Sequence, residues 1–89
     1  MTDFAIWGPI APDDLPGLCD RVCAVLRERG PGQVRCDVTG IAPDAGTVDA
    51  LARLQLAARR LGCQLRLRNA SSELRELVAF MGLRDVLPE

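Results

Sequence analysis

Three short segments of the chain carry the apolar patterns of strands. Residues 33–38 and 63–68 place an apolar side chain at every second position, which is the period of a strand with one buried face. Residues 4–7 form a short, mostly apolar run that stops at Gly8 and Pro9. These patterns predict three strands, the first of them short.

Longer segments between these strands repeat apolar residues every three or four positions, which predicts helices with one buried face. The first helix is expected to begin with Asp13 or Asp14 as its N-cap and to stop at residues 30–32. Its apolar stripe consists of Leu15, Leu18, Cys19, Val22, Val25 and Leu26. The second helix is expected over residues 47–61, with Gly62 in the place of a C-terminal glycine cap.

A last helix is expected to start at Ser71 or Ser72 and to end at Gly82, and residues 83–87 follow as a turn or short strand. Strand and helix therefore alternate three times, which favours a mostly parallel sheet with right-handed crossovers. The predicted fold class is α/β, a small open sheet with alternating helices in a single domain over residues 1–89.

The net charge, the length of the apolar stretches and the cysteine content narrow the possible classes of function. The formal net charge is −1, which gives no electrostatic reason to expect binding to nucleic acid or to an anionic membrane. No apolar stretch approaches the roughly 20 residues that span a bilayer, and the N-terminal residues lack the pattern of a secretion signal. The four cysteines are interpreted as reduced thiols. We therefore expect a cytoplasmic protein without membrane insertion.

Residue types that carry catalysis are scarce in this chain. It contains no histidine, which removes the commonest general base and metal ligand. Cys19 and Cys23 have the helical spacing of a metal or disulfide pair, but they lie on and beside an apolar stripe, where cysteine acts as a small hydrophobe. Cys36 and Cys63 lie on predicted strands and are interpreted in the same way. We expect no enzymatic activity, no catalytic residue, no bound metal and no cofactor.

Residues 44–49, at the start of the second helix, are the segment most suggestive of a site. Thr47 is either the N-cap of this helix, which we favour, or an acceptor for phosphate, which a helix N-terminus would attract. The helix also carries a second apolar arc beside its core face. This arc consists of Val48, Ala52 and Leu56, with Gln55 and Arg59 close beside it. It is either a docking patch rimmed by arginine or a surface covered by a neighbouring element.

Six short motifs occur in the order and spacing of one known family. They occupy residues 7–10, 37–40, 44–48, 60–65, 71–74 and 81–87. Together they resemble the STAS domains, a family named for sulfate transporters and anti-sigma factor antagonists. The resemblance implies a small open sheet backed by helices, in a protein that works by binding another protein.

In the anti-sigma factor antagonists, an Asp-Ser-Ser loop carries the serine whose phosphorylation blocks binding to an anti-sigma kinase. Asp44 matches the aspartate of that loop, whereas Ala45 and Gly46 replace the two serines. The usual phosphate acceptor is therefore missing, and Thr47, one position later, is the residue predicted to be phosphorylated if any is. We favour a docking module of fixed affinity.

The resemblance predicts a bacterial regulator of transcription that binds an anti-sigma factor or a related kinase. The predicted partner surface joins the loop residues Asp44, Ala45, Gly46 and Thr47 to the helical residues Val48, Ala52, Leu56 and Arg59. Two alternatives stay open: an accessory subunit of an ABC transporter ATPase, and a domain that senses a nucleotide or another small ligand. Self-association as a weak homodimer is also left open.

Overall fold

The computed structural model describes residues 3–89. The strands are β1 (Phe4–Ala5), β2 (Gly32–Asp37) and β3 (Cys63–Arg68), and the α-helices are α1 (Leu15–Arg29), α2 (Ala45–Arg60) and α3 (Ser72–Phe80). A short 3-10 helix, Pro12–Asp14, leads into α1. The predicted α/β fold class, with strands and helices in alternation, is confirmed.

The strands form one parallel sheet in the order β1-β2-β3. Side chains at paired positions of neighbouring strands point to the same face of a sheet. One face is apolar and is built by the buried residues Val34, Cys36, Leu65 and Leu67. The opposite, open face carries Gln33, Arg35, Gln64 and Arg66. The alternating sequence pattern of β2 and β3 therefore corresponds to a sheet covered on one side only.

The three helices cover the apolar face of the sheet and share one core with it. Helix α2 is central, because it contacts α1, α3 and β3. Its buried residues are Thr47, Val48, Ala50, Leu51, Leu54, Gln55 and Ala58. Helices α1 and α3 each contribute a shorter buried stripe, made of Val22 and Leu26 in α1 and of Leu74 and Val78 in α3. None of the helices in residues 3–89 is long and apolar enough to cross a membrane.

Three predicted helix boundaries agree with the structure. Ser71 caps α3, since its Oγ accepts a hydrogen bond from a first-turn backbone N–H at 3.1 Å. Gly62 is the residue directly after the C-cap of α2. Its φ of 75° is a left-handed conformation, which favours glycine at this position. Asp14 occupies the N-cap position of α1, although its side chain makes no capping hydrogen bond. Residues 83–87 form a turn rather than a strand, closed by the Leu87 N–H to Leu83 C=O bond of 2.9 Å.

The start of α2 differs from the prediction. The helix begins at Ala45, two positions before the predicted residue 47, because Asp44 is its N-cap. The Asp44 carboxylate accepts a hydrogen bond from the backbone N–H of Thr47 at 2.7 Å, which satisfies one of the free donors of the first turn. The prediction that Thr47 caps this helix was therefore wrong.

A buried glutamine of α2 closes the outer edge of β3. The side-chain amide of Gln55 donates to the C=O of Leu65 at 2.9 Å, and its Oε1 accepts from the N–H of Leu65 at 2.8 Å. The same amide donates to the C=O of Val86 in the C-terminal turn at 2.8 Å. Two residues further along the same strand edge, the N–H of Leu67 donates to the C=O of Pro88 at 2.8 Å. The side chain and the turn thus take the places of a fourth strand.

Replacing this glutamine tests its role at the edge. Gln55→Leu keeps a side chain of similar size but leaves the Leu65 N–H and C=O without partners. Each buried polar group that loses its partner costs about 1–3 kcal/mol, so the free energy of unfolding in urea should fall by about 3 kcal/mol. The matched control Gln64→Leu, on the open face of the same strand, should change it by less than about 0.5 kcal/mol. Equal losses in the two variants would contradict the role assigned to Gln55.

Candidate functional site

The loop from β2 to α2 is held in place at the carboxyl end of the sheet. The N–H and hydroxyl of Thr39 both donate to one oxygen of Asp37, at 2.9 Å and 2.6 Å, and these hydrogen bonds hold the pKa of the Asp37 carboxyl below its usual range. The ring of Trp7 lies directly against Gly40, where an added Cβ would approach Trp7 Cε3 to 2.0 Å. A larger residue here would displace the Trp7 ring, so this contact between ring and backbone requires glycine.

The first turn of α2 separates into exposed and buried residues. Asp44, Ala45 and Gly46 are exposed, whereas Thr47 and Val48 are fully buried. The Thr47 hydroxyl has no hydrogen-bond partner within residues 3–89. A kinase needs access to the hydroxyl it modifies, so this burial argues against phosphorylation of Thr47.

The solvent side of α2 forms one continuous stripe, which we call the α2 outer face. It consists of Ala45, Asp49, Ala52, Arg53, Leu56 and Arg59, of which Ala52 is half-buried and the others are exposed. Leu56 is 55% exposed, whereas Val48, Leu51 and Leu54 of the same helix are fully buried. The structure brings Ala52, Leu56 and Arg59 together on this face, and no neighbouring element among residues 3–89 covers Leu56 or Arg59. Including Thr47 and Val48 in the partner surface was wrong, because both side chains are fully buried.

Charges on and next to the α2 outer face follow the polarity of the helix. The Asp49 carboxylate accepts a hydrogen bond from Arg53 Nε at 2.8 Å, one helical turn away, and this bond raises the pKa of the Arg53 guanidinium. Arg59 and Arg60 make no salt bridge to any residue the structure describes. Acidic groups thus stand near the positive N-terminal end of the helix dipole and unpaired basic groups near its negative end. This arrangement suits an acidic partner next to the C-terminal half of the face.

Burial lowers the reactivity of two of the four cysteines. All four are free thiols. Burial raises the pKa of Cys36 to about 12, and burial also raises the pKa of Cys19, helped by Cys23 and Asp20. Because the thiolate is the reactive form, these two side chains stay protonated and inert near neutral pH. Within residues 3–89, no group of three histidine, cysteine or acidic side chains is placed to hold a metal ion.

Comparisons with known proteins leave the family unassigned. No protein-family model matches the sequence, and no curated protein matches it at a significant level. The resemblance to the STAS domains therefore rests on the sequence motifs alone.

Two features of α2 do not follow from its apolar pattern. Gln55 was placed beside the second apolar arc, although it follows Val48 by seven positions and Leu51 by four, which puts it on their buried side. The Asp49–Arg53 ion pair could have been found from its spacing of four. In both cases the signal is a helical spacing that the apolar pattern alone does not use.

The first turn of α2 gives a stability test with two opposite outcomes. Thr47→Val replaces a buried hydroxyl that has no hydrogen-bond partner among residues 3–89 by a methyl group of similar size, so we expect the free energy of unfolding to rise by about 1 kcal/mol. Asp44→Ala removes the N-cap and should lower it by about 1 kcal/mol. Chemical denaturation measures both. A loss of stability in Thr47→Val would show that the hydroxyl has a hydrogen-bond partner in solution, contrary to this structure.

Proposed function

We propose that this chain is a non-enzymatic protein-binding module that docks through the α2 outer face and the exposed loop residues Asp44 and Gly46. The observation that carries the proposal is the exposure of Leu56 on a helix whose other large aliphatic side chains are fully buried. Burying a leucine contributes about 1.5–3 kcal/mol, which is available to a partner that covers this residue. Arginines around an apolar centre are also typical of protein interfaces.

The side chains of the α2 outer face indicate what kind of surface a partner must present. Leu56 and the half-buried Ala52 form its apolar centre, which requires an apolar pocket or ridge opposite. Arg59, together with Arg60 beside the face, has no salt bridge within the described residues, so carboxylates on the partner can pair with them. A partner with an apolar contact bordered by acidic side chains fits both requirements.

The sequence resemblance to STAS domains supports a more specific form of this proposal. The chain then acts as an anti-sigma factor antagonist whose partner is an anti-sigma factor or a related kinase, and it regulates transcription in the cytoplasm. Asp44, which matches the aspartate of the family loop, is exposed and caps α2. Free cysteines agree with a reducing compartment.

Regulation by phosphate in the docking loop is not part of the proposal. Ala45 and Gly46 have no hydroxyl, and the hydroxyl of Thr47 is buried. We therefore propose that the affinity for the partner is fixed by the surface rather than switched in this loop.

The test is to identify the partner and then to alter Leu56. The tagged chain is used to recover its partner from the native cell, mass spectrometry identifies that partner, and the binding of the purified proteins is measured by calorimetry. Leu56→Asp places a charge in the apolar centre, and loss of a central contact of about 2 kcal/mol or more corresponds to about thirtyfold weaker binding. The variant should remain folded, because the side chain is exposed.

The matched control is Val25→Asp, which introduces the same charge at a 43% exposed aliphatic residue of α1. It should bind the partner as the unaltered chain does. Equal affinities of the Leu56→Asp variant and the unaltered chain would reject the α2 outer face as the docking surface. If the recovered partner is an ABC transporter ATPase, the proposed docking surface stands. The proposed role as an anti-sigma factor antagonist is then replaced by that of a transporter subunit.

A further inference from the structure

A second surface, which shares no residue with the α2 outer face, lies between α3 and the C-terminal residues. A groove of about 780 Å³ opens there. Its floor is apolar and is formed by side chains that belong to the core, namely Leu67, Leu74, Val78 and Leu87. No residue of α2 lines it. The groove can therefore be occupied while the α2 outer face stays free.

An unburied aromatic ring stands on the border of this groove. Phe80, the last residue of α3, lines the groove and is nevertheless 87% exposed, more than Trp7 at 73%. A single exposed apolar residue is ordinary on a protein surface. Here the ring lies next to an apolar depression that it does not fill, so one surface carries both a projecting group and a recess for such a group.

The charges on the rim of the groove are balanced. Arg75 and Arg84 contribute two positive groups, and Glu76 and Glu89 contribute two negative groups. Arg75 Nε and Glu89 Oε1 are 3.7 Å apart, whereas Glu76 and Arg84 form no salt bridge with any residue in 3–89. A two-fold interface sets a surface against itself, so a rim of one sign would repel, whereas a rim with both signs can pair across the axis.

We propose that this surface is a homodimer interface, in which Phe80 of each copy enters the groove of the other and the rim charges pair between copies. A second copy is the occupant that meets the three observations together. It supplies an aromatic ring, it offers a recess for the ring of its mate, and it presents opposite charges to Glu76 and Arg84.

The test is the concentration dependence of the mass in solution, measured by sedimentation equilibrium. The unaltered chain should approach twice the monomer mass of 9.6 kDa as its concentration rises to the millimolar range. Phe80→Asp should stay at the monomer mass over the same range, because it puts a charge where the ring would be buried. The variant should keep the circular dichroism of the unaltered chain, since the side chain is exposed in the monomer. The control Val25→Asp, on α1, should still dimerise.

Three results would overturn the proposal. The first is an unaltered chain that remains a monomer at every concentration. A monomer that carries a co-purified apolar compound, detected by native mass spectrometry, counts as the same result. The second is a Phe80→Asp variant that dimerises as before. The third is loss of the dimer in the Val25→Asp control, which would place the contact on another surface. None of these results depends on the partner proposed for the α2 outer face.

Discussion

The pairing of one buried amide with one strand edge determines how this small fold is arranged. Gln55 gives the N–H and C=O of Leu65 the hydrogen bonds that a neighbouring strand would give, and it reaches the C=O of Val86 as well. A sheet edge with unpaired groups invites pairing with other chains, and buried polar groups without partners are costly. The amide meets both demands at a single position, so the three-stranded sheet can end at β3.

The same contact sets the rotation of α2 about its own axis. With the side chain of Gln55 directed at β3, Leu51 and Leu54 enter the core on one side of it. Leu56 then lies about 100° further round the helix and faces solvent. A fully satisfied polar group in a core has few alternative arrangements, unlike an aliphatic side chain in its place. The α2 outer face is therefore presented by a helix whose orientation is specified from the opposite side.

Periodicity predicted much of the fold, because most of this core is apolar and regular. Strand β3 has the predicted bounds, Cys63–Arg68, and the strand–helix alternation led to the parallel sheet. The helical wheel placed Leu56 beside Arg59 on an arc separate from the core face, but it left open whether a neighbouring element covers that arc. Apolar patterning failed where one polar group decides the outcome. It treats Gln55 as a surface residue, since only the three-dimensional fold shows the Leu65 groups that the amide pairs with. It likewise cannot show that Asp44 rather than Thr47 caps α2, because both residue types are good caps.

The two surfaces proposed for binding, the α2 outer face and the groove at α3, belong to elements that pack around the closed edge of β3. Native-state hydrogen exchange at single amides tests that closure most directly. If Gln55 and the C-terminal turn hold the edge, the N–H groups of Leu65 and Leu67 exchange as slowly as those of the central strand β2. Exchange of these two amides at the rate of exposed backbone, with β2 still protected, would contradict the account.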